Sequence, residues 1–157
     1  MTARLIAPLR WSGEAGAVGG FEAIPFGVLI FVLGTLLVAN AWALIDAKFA
    51  VAAAAREAAR AFVEADPAAD PVQEARAAAE ATLAAYGRDP SRMRLDHAGE
   101  FARCEQVSMT VRYPVPVVVL PGLTPLGNGL EATSTYSEIV DPLRSGLEGE
   151  ATCVGGG

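Results

Sequence analysis

AIPFGVLIFVLGTLLVANAWALI, residues 23–45, is the stretch on which the reading of this chain turns. It carries no charged side chain over 23 residues, and a helix needs about 20 apolar residues to cross the hydrocarbon core of a bilayer. Thr35 and Asn40 supply its polar side chains, and Trp42 stands near one end, where aromatic residues collect at a membrane surface. Pro25 is read as falling in the first helical turn, where a missing N–H costs little. The run is too long for a core helix in a chain of 157 residues, and it marks a membrane-inserted helix.

A cleaved secretory signal is the competing reading. Arg4 and Arg10 form a basic segment ahead of the run, and Ala41-Trp42-Ala43 fits a small-x-small cleavage pattern. Against it, the run exceeds the usual apolar segment of about 7–15 residues, and helix-favouring sequence continues unbroken into 52–55. Basic residues flank the run on both sides (Arg4 and Arg10 before it; Lys48, Arg56 and Arg60 after it), so counting them does not fix orientation. Cys104 and Cys153 favour an oxidising compartment for the C-terminal portion. The expectation is therefore a single-pass protein of the cell membrane, with its N-terminus cytoplasmic and its C-terminal domain extracytoplasmic.

Composition agrees with an anchor plus a small domain. The chain is 52% apolar but only 7% aromatic, with a mean hydropathy of +0.34. Its apolar content falls into two populations: the lipid-facing run, and alanine-rich faces suited to packing helices. Twelve basic residues against 18 acidic ones give a net charge of −6, which excludes the basic face that nucleic acid requires. Arg4, Arg10, Glu14 and Glu22 cancel, so the whole excess lies beyond the apolar run. Two cysteines are too few for a disulfide scaffold or a zinc site of four thiolates.

Beyond the run, residues 46–65 contain no helix breaker and are rich in alanine, arginine and glutamate, all strong helix formers. Phe49, Ala52, Ala55, Ala59, Phe62 and Val63 are expected to share the packed face, with Arg56, Glu57, Arg60 and Glu64 opposite and paired at i, i+3 and i, i+4. Asp66-Pro67 ends this helix. Asp70-Pro71 opens a second one, with Asp70 as its cap, Glu74 in its first turn and Gly87 as its stop. Residues 87–99 are read as a polar connection. From Cys104 the period becomes 2: Val107, Met109, Val111, Tyr113, Val115 and Val117 alternate with Ser108, Thr110, Arg112 and Pro114, a half-buried strand. Pro114 and Pro116 place its later part on an edge or at a bend. Residues 121–129 form a Gly/Pro loop, 130–140 the returning strand, and 155–157 a disordered tail. The fold class is α+β: a 1–22 leader, a 23–45 transmembrane helix, a 46–65 helical extension, and a 66–154 head with a second helix and a small antiparallel hairpin or sheet.

Chemistry-bearing groups are sparse. His97 is the single histidine, placed in a polar loop beside Asp96 with no clustered metal ligands. No nucleophile elbow, phosphate-binding glycine loop or dinucleotide fingerprint occurs. Arg92 and Arg94 read as solvated surface rather than a phosphate site. The reading is of a chain that is not an enzyme and takes no catalytic residue, cofactor or metal. Cys104 and Cys153 enclose the strand hairpin. Their pairing would contribute roughly 4 kcal/mol by loop closure, and two reduced thiols are the alternative. Glu22 opens the apolar run, where a carboxylate is either a boundary residue near a helix N-terminus or the partner of a cation on a neighbouring subunit. Gly27, Gly34, Ala39 and Ala43 allow close approach of helices in lipid or are ordinary bilayer sequence.

Gly19-Gly20-Phe21-Glu22 leading into the apolar helix resembles the N-terminal region of TadE-like proteins, the minor pseudopilins of tight-adherence (Flp-type) pili. The segment Ala54-Ala55-Arg56-Glu57-Ala58-Ala59-Arg60 is similar to the helix that follows the membrane span in that family. Ile139-Val140-Asp141-Pro142-Leu143-Arg144-Ser145 is similar to its C-terminal ends. The resemblance implies a structural subunit of pilus or related secretion-system assembly, with membrane lipid and other assembly subunits as partners. It implies a prepilin peptidase that removes the leader at Gly16, Ala17 or Val18. Cleavage between Ala17 and Val18 makes Glu22 the fifth mature residue, as is usual in such proteins; cleavage after Gly16 makes it the sixth. An uncleaved anchor is the third case. A membrane-anchored extracytoplasmic binding module and a secreted protein with a cleaved signal remain as readings from other classes.

Overall fold

The computed structural model describes residues 15–117, 129–149 and 152–153, with side chains from Ala23 onward. Residues 1–14 of the leader, most of the 121–129 loop and the 155–157 tail lie outside the described residues. The chain divides into two compact units after Val38. Helix α1, Ala15–Glu64, runs through 50 residues, and its stretch up to Val38 belongs to the first unit. Its start upstream of the apolar run places Pro25 in the helix interior rather than in the first turn. Propagation adds one hydrogen bond per residue once a helix exists, so Gly16, Gly19 and Gly20 are carried along despite their low propensity.

In the second unit α1 packs an alanine face. Ala47, Ala50, Val51, Ala54, Ala55, Ala58, Ala59 and Phe62 are buried, at i, i+3, i+4 and i+7 spacing. The face differs from the sequence expectation at two positions: Phe49 is 67% exposed, and Ala52 is exposed as well. Both project from the other side of the helix, because the narrow alanine stripe, not the bulkiest residue, fits against the sheet. Ala55, Ala59, Phe62 and Val63 lie where expected. Arg60 and Glu64 pair at 3.1 Å on the exposed side.

Helix α2, Pro71–Ala85, is framed as its sequence directs. Asp70 Oδ1 accepts from the Val72 N–H at 2.9 Å, and Pro71 occupies the first helical position. At the other end Gly87 takes φ +69°. The N–H groups of Gly87 and Arg88 donate to the Ala84 and Leu83 carbonyls at 2.9 and 3.0 Å, which closes the last turn. Ala75, Ala79 and Leu83 form its buried stripe.

Residues 87–99 are more than a connection. They hold a single 3-10 turn, Pro90–Arg92, and a strand β1, Arg94–Ala98. With β2, Gln106–Val115, and β3, Leu130–Ile139, β1 makes an antiparallel sheet in the order β1-β2-β3. His97 therefore sits on a strand, paired with Met109, and not in a loop. Val107, Met109, Val111, Tyr113 and Val115 face the core with Ala132. On the opposite face Ser108 and Ser137 hydroxyls pair at 2.7 Å and Thr110 and Thr135 at 2.8 Å, each directly across the β2–β3 register. Pairing with β1 stops at Arg112, so Pro114 falls where β2 has a free edge, the position its missing N–H tolerates.

Candidate functional site

Three features of the chain could do something for another molecule. The first is α1 itself. Ile24, Phe26, Phe31, Leu37, Val38 and Trp42 are between 62% and 74% exposed, far more contiguous apolar surface than a soluble monomer leaves in water. Among the described residues, α1 is the one helix long and apolar enough to cross a membrane. Gly16, Ala17, Val18 and Glu22 belong to α1 ahead of Ala23, where side chains are not described. A Cβ at Gly27 or Gly34 would meet nothing within 4 Å. Ala43, by contrast, is packed against the core of the second unit and is already used.

The second feature is the lacing of the C-terminal segment. Cys104 and Cys153 form a disulfide, with Cα atoms 5.2 Å apart. Cys104 takes a left-handed backbone, φ 64°. Around it the Arg103 N–H donates to the Glu148 carbonyl at 2.9 Å, the Cys104 N–H to the Val140 carbonyl at 3.0 Å, and the Val140 N–H to the Glu105 carbonyl at 3.0 Å. Arg144 reaches the end of α1, where helix carbonyls lack intrahelical partners. Its guanidinium donates to the carbonyls of Val63, Glu64 and Ala65 at 2.5, 2.6 and 2.5 Å, and lies over the Phe101 ring. This C-cap by a distant arginine was not predicted from sequence.

The third is a cavity of about 420 Å3 in the second unit, lined by Asp46, Tyr86, Arg88, Asp89, Arg92 and Tyr113 with Gly87 and Pro116. The turn after α2 aims Arg88 back at α1, where Nη2 meets Asp46 Oδ2 at 2.5 Å. The 3-10 turn brings Arg92 to the same place. Both guanidinium carbons sit over the Tyr113 ring, at 5.6 and 5.7 Å from its centroid, a cation–π arrangement that holds two like charges near one another. Asp89 is occupied by its own turn. Its carboxylate accepts from the Ser91 hydroxyl and N–H at 2.7 and 3.0 Å, and these hydrogen bonds hold it below the usual aspartate range, with a smaller contribution from Arg92. The exposed Arg92 guanidinium makes no hydrogen bond or close ion pair among the described residues, though its charge attracts the Asp89 carboxylate. Arg88 Nε is buried without an acceptor among the described residues.

Sequence reading took Arg92 and Arg94 as solvated surface, and both are exposed. The structure also brings Arg92 beside Arg88 and the Tyr113 ring, which no sequence pattern links. His97 has the Phe62 ring 6.1 Å away as neighbour. Among the described residues no three of His, Cys, Asp and Glu come together as a metal site. Compared with protein-family models, curated proteins and solved structures, the chain matches none.

Proposed function

We propose that this chain is a non-catalytic, membrane-anchored structural subunit of a Tad-type pilus or related secretion-system assembly, a TadE-like pseudopilin with its head outside the cytoplasmic membrane. The observation that carries the reading is α1: one unbroken helix whose first part is exposed apolar surface and whose last part is an alanine face in the core of a small α+β head. Such a helix can pack laterally against others in lipid while presenting its head. The Cys104–Cys153 disulfide supports an oxidising side for that head.

Secretion with signal removal near Leu44 is disfavoured by packing. Cleavage after Ala43 would remove Ala43, which rests against the core of the head. A second reading, an anchored binding module unconnected to pili, draws on the Arg88–Arg92–Tyr113 cavity. Mass spectrometry of the mature protein separates these. An N-terminus at Ala17 or Val18 supports prepilin-type processing, and one near Leu44 overturns the proposal. Purification from native membranes then decides between the other two, since an assembly subunit brings a secretion ATPase or its platform protein with it and a binding module does not.

A further inference from the structure

We propose that residues 141–149 form a redox-operated clamp on the end of α1: the Cys104–Cys153 disulfide holds the clamp shut, and a dithiol reductant opens it while the rest of the head stays folded. The inference concerns the head alone and does not depend on the pilus reading. Its first support is burial. Every buried residue of the core precedes residue 141, and Val140 is the last of them. Beyond it Asp141, Leu143, Ser145, Gly146, Glu148 and Gly149 are exposed, and Leu147 is the apolar residue that still packs against the core. A segment with so few buried apolar contacts opens locally, at much less cost than unfolding the core. Yet it holds a key position. Arg144 donates to the Val63, Glu64 and Ala65 carbonyls at the end of α1 and lies over the Phe101 ring. Phe101 in turn stands edge-on to the buried Phe62, with 5.5 Å between ring centroids. Arg103 fastens the segment from the other side, its Nε donating to the Arg144 carbonyl and its N–H to the Glu148 carbonyl. Opening therefore uncaps the last turn of α1 and uncovers Phe101.

The second support is the bridge itself. Cys153 is exposed and Cys104 is half-buried. Cys104 is also the single non-glycine residue with positive φ among the described residues, at 64°, a conformation that persists only where its surroundings impose it. Exposed or strained disulfides are the readily reduced ones. A thiolate of the reductant attacks the exposed Cys153 Sγ, the S–S bond breaks, and the Cys104 sulfur leaves as a thiolate that takes up a proton. The second thiol of the reductant gives up its proton, attacks the mixed disulfide and expels Cys153 as a thiolate, which is protonated in turn. The dithiol is oxidised to its own disulfide, and two electrons and two protons have passed to the two cysteines. With the bridge open, the segment is left with the contacts of Arg103, Arg144 and Leu147, and net hydrogen-bond contributions of that kind are modest.

The test follows hydrogen–deuterium exchange of the full chain in mild detergent, with and without millimolar dithiothreitol, and scores reduction by the mass added on alkylation. Reduction should speed exchange about tenfold or more in residues 141–149 and in the last turn of α1, with β2 and α2 unchanged. The double variant Cys104→Ser/Cys153→Ser should exchange like the reduced chain. With the bridge intact, Arg144→Ala should loosen the last turn of α1 while residues 141–149 stay tied. Resistance of the folded chain to dithiothreitol overturns the proposal, as does undiminished protection of residues 141–149 in the reduced chain or the double variant. Equal acceleration in β2 and α2 shows a staple of the whole head and overturns a local clamp. Faster exchange in residues 141–149 with no change in the last turn of α1 overturns the link to that helix, and so does an unchanged last turn in Arg144→Ala.

Discussion

Gly99 follows β1 in the left-handed region, at φ +97°, and a Cβ built there would stand 2.4 Å from the Gln106 carbonyl oxygen. Backbone cannot step aside as a flexible side chain can, so Gly99→Ala should destabilise the head by about 2–3 kcal/mol. Gly87 shares the positive φ but has nothing within 4 Å of a Cβ. Gly87→Ala should therefore cost only the backbone term, about 1 kcal/mol. Thermal unfolding of both variants by circular dichroism checks the order, and equal losses would contradict the steric account. Asp89 offers a pH test. Its folded pKa is lowered, chiefly by the Ser91 hydroxyl and then its N–H. Its contribution to the 3-10 turn is therefore present above the ordinary aspartate value and is lost as pH falls through the lower folded value. Carbon-13 NMR titration should find the Asp89 carboxyl below the usual range, and Ser91→Ala should raise it. An unchanged titration would mean the hydroxyl does not set it. At this scale little was legible beforehand: Asp70 as a cap and Gly87 as a stop are local signals, whereas Asp46 and Arg88 are 42 positions apart and meet only through tertiary packing.

Secondary structure was legible where burial imposes a period. β2 alternates because one face is core, and β3 follows because Thr and Ser pair across its other face. β1 escaped because in RLDHA only Leu95 is partly buried; an edge strand that buries almost nothing shows no alternation, and its pairing with β2 is what makes it a strand. The phase of α1 was mistaken for a related reason. Phe49 is the larger apolar residue, but alanines set how closely the helix approaches the sheet. Two contacts hold these elements at the C-terminal end. Arg144→Ala removes three donated hydrogen bonds from the end of α1 and should cost about 1.5–3 kcal/mol, more than Arg103→Ala, whose side chain donates to the single Arg144 carbonyl. Comparable losses in the two melts would argue against the cap. The disulfide closes a separation of 49 residues, worth up to about 4 kcal/mol in the chain-entropy account. Reduction should therefore lower the thermal midpoint and change mobility on non-reducing electrophoresis. Alkylation of both thiols without reductant would contradict the bridge.

At the scale of the whole molecule, charge and apolar surface are segregated along the chain, and Glu22 stands where they meet. The apolar run begins at Ala23 and is long enough to span by itself, so insertion does not need Glu22. The buried core begins at Ala47, so the head does not need it either. A carboxylate at the edge of lipid is nevertheless costly unless it meets water, a helix N-terminus or a cation. On the proposed assembly reading, that cation would come from a neighbouring subunit. Glu22→Ala should then leave carbonate-resistant membrane association and the thermal midpoint of the head unchanged, while subunits co-purifying with the chain fall severalfold. Glu22→Asp should retain part of that capture and Glu22→Gln little, because a pairing role depends on charge and only secondarily on reach. Full capture by Glu22→Ala would reduce Glu22 to a boundary residue. Capture retained by Glu22→Gln but lost in Glu22→Ala would replace the ion pair with a neutral hydrogen bond.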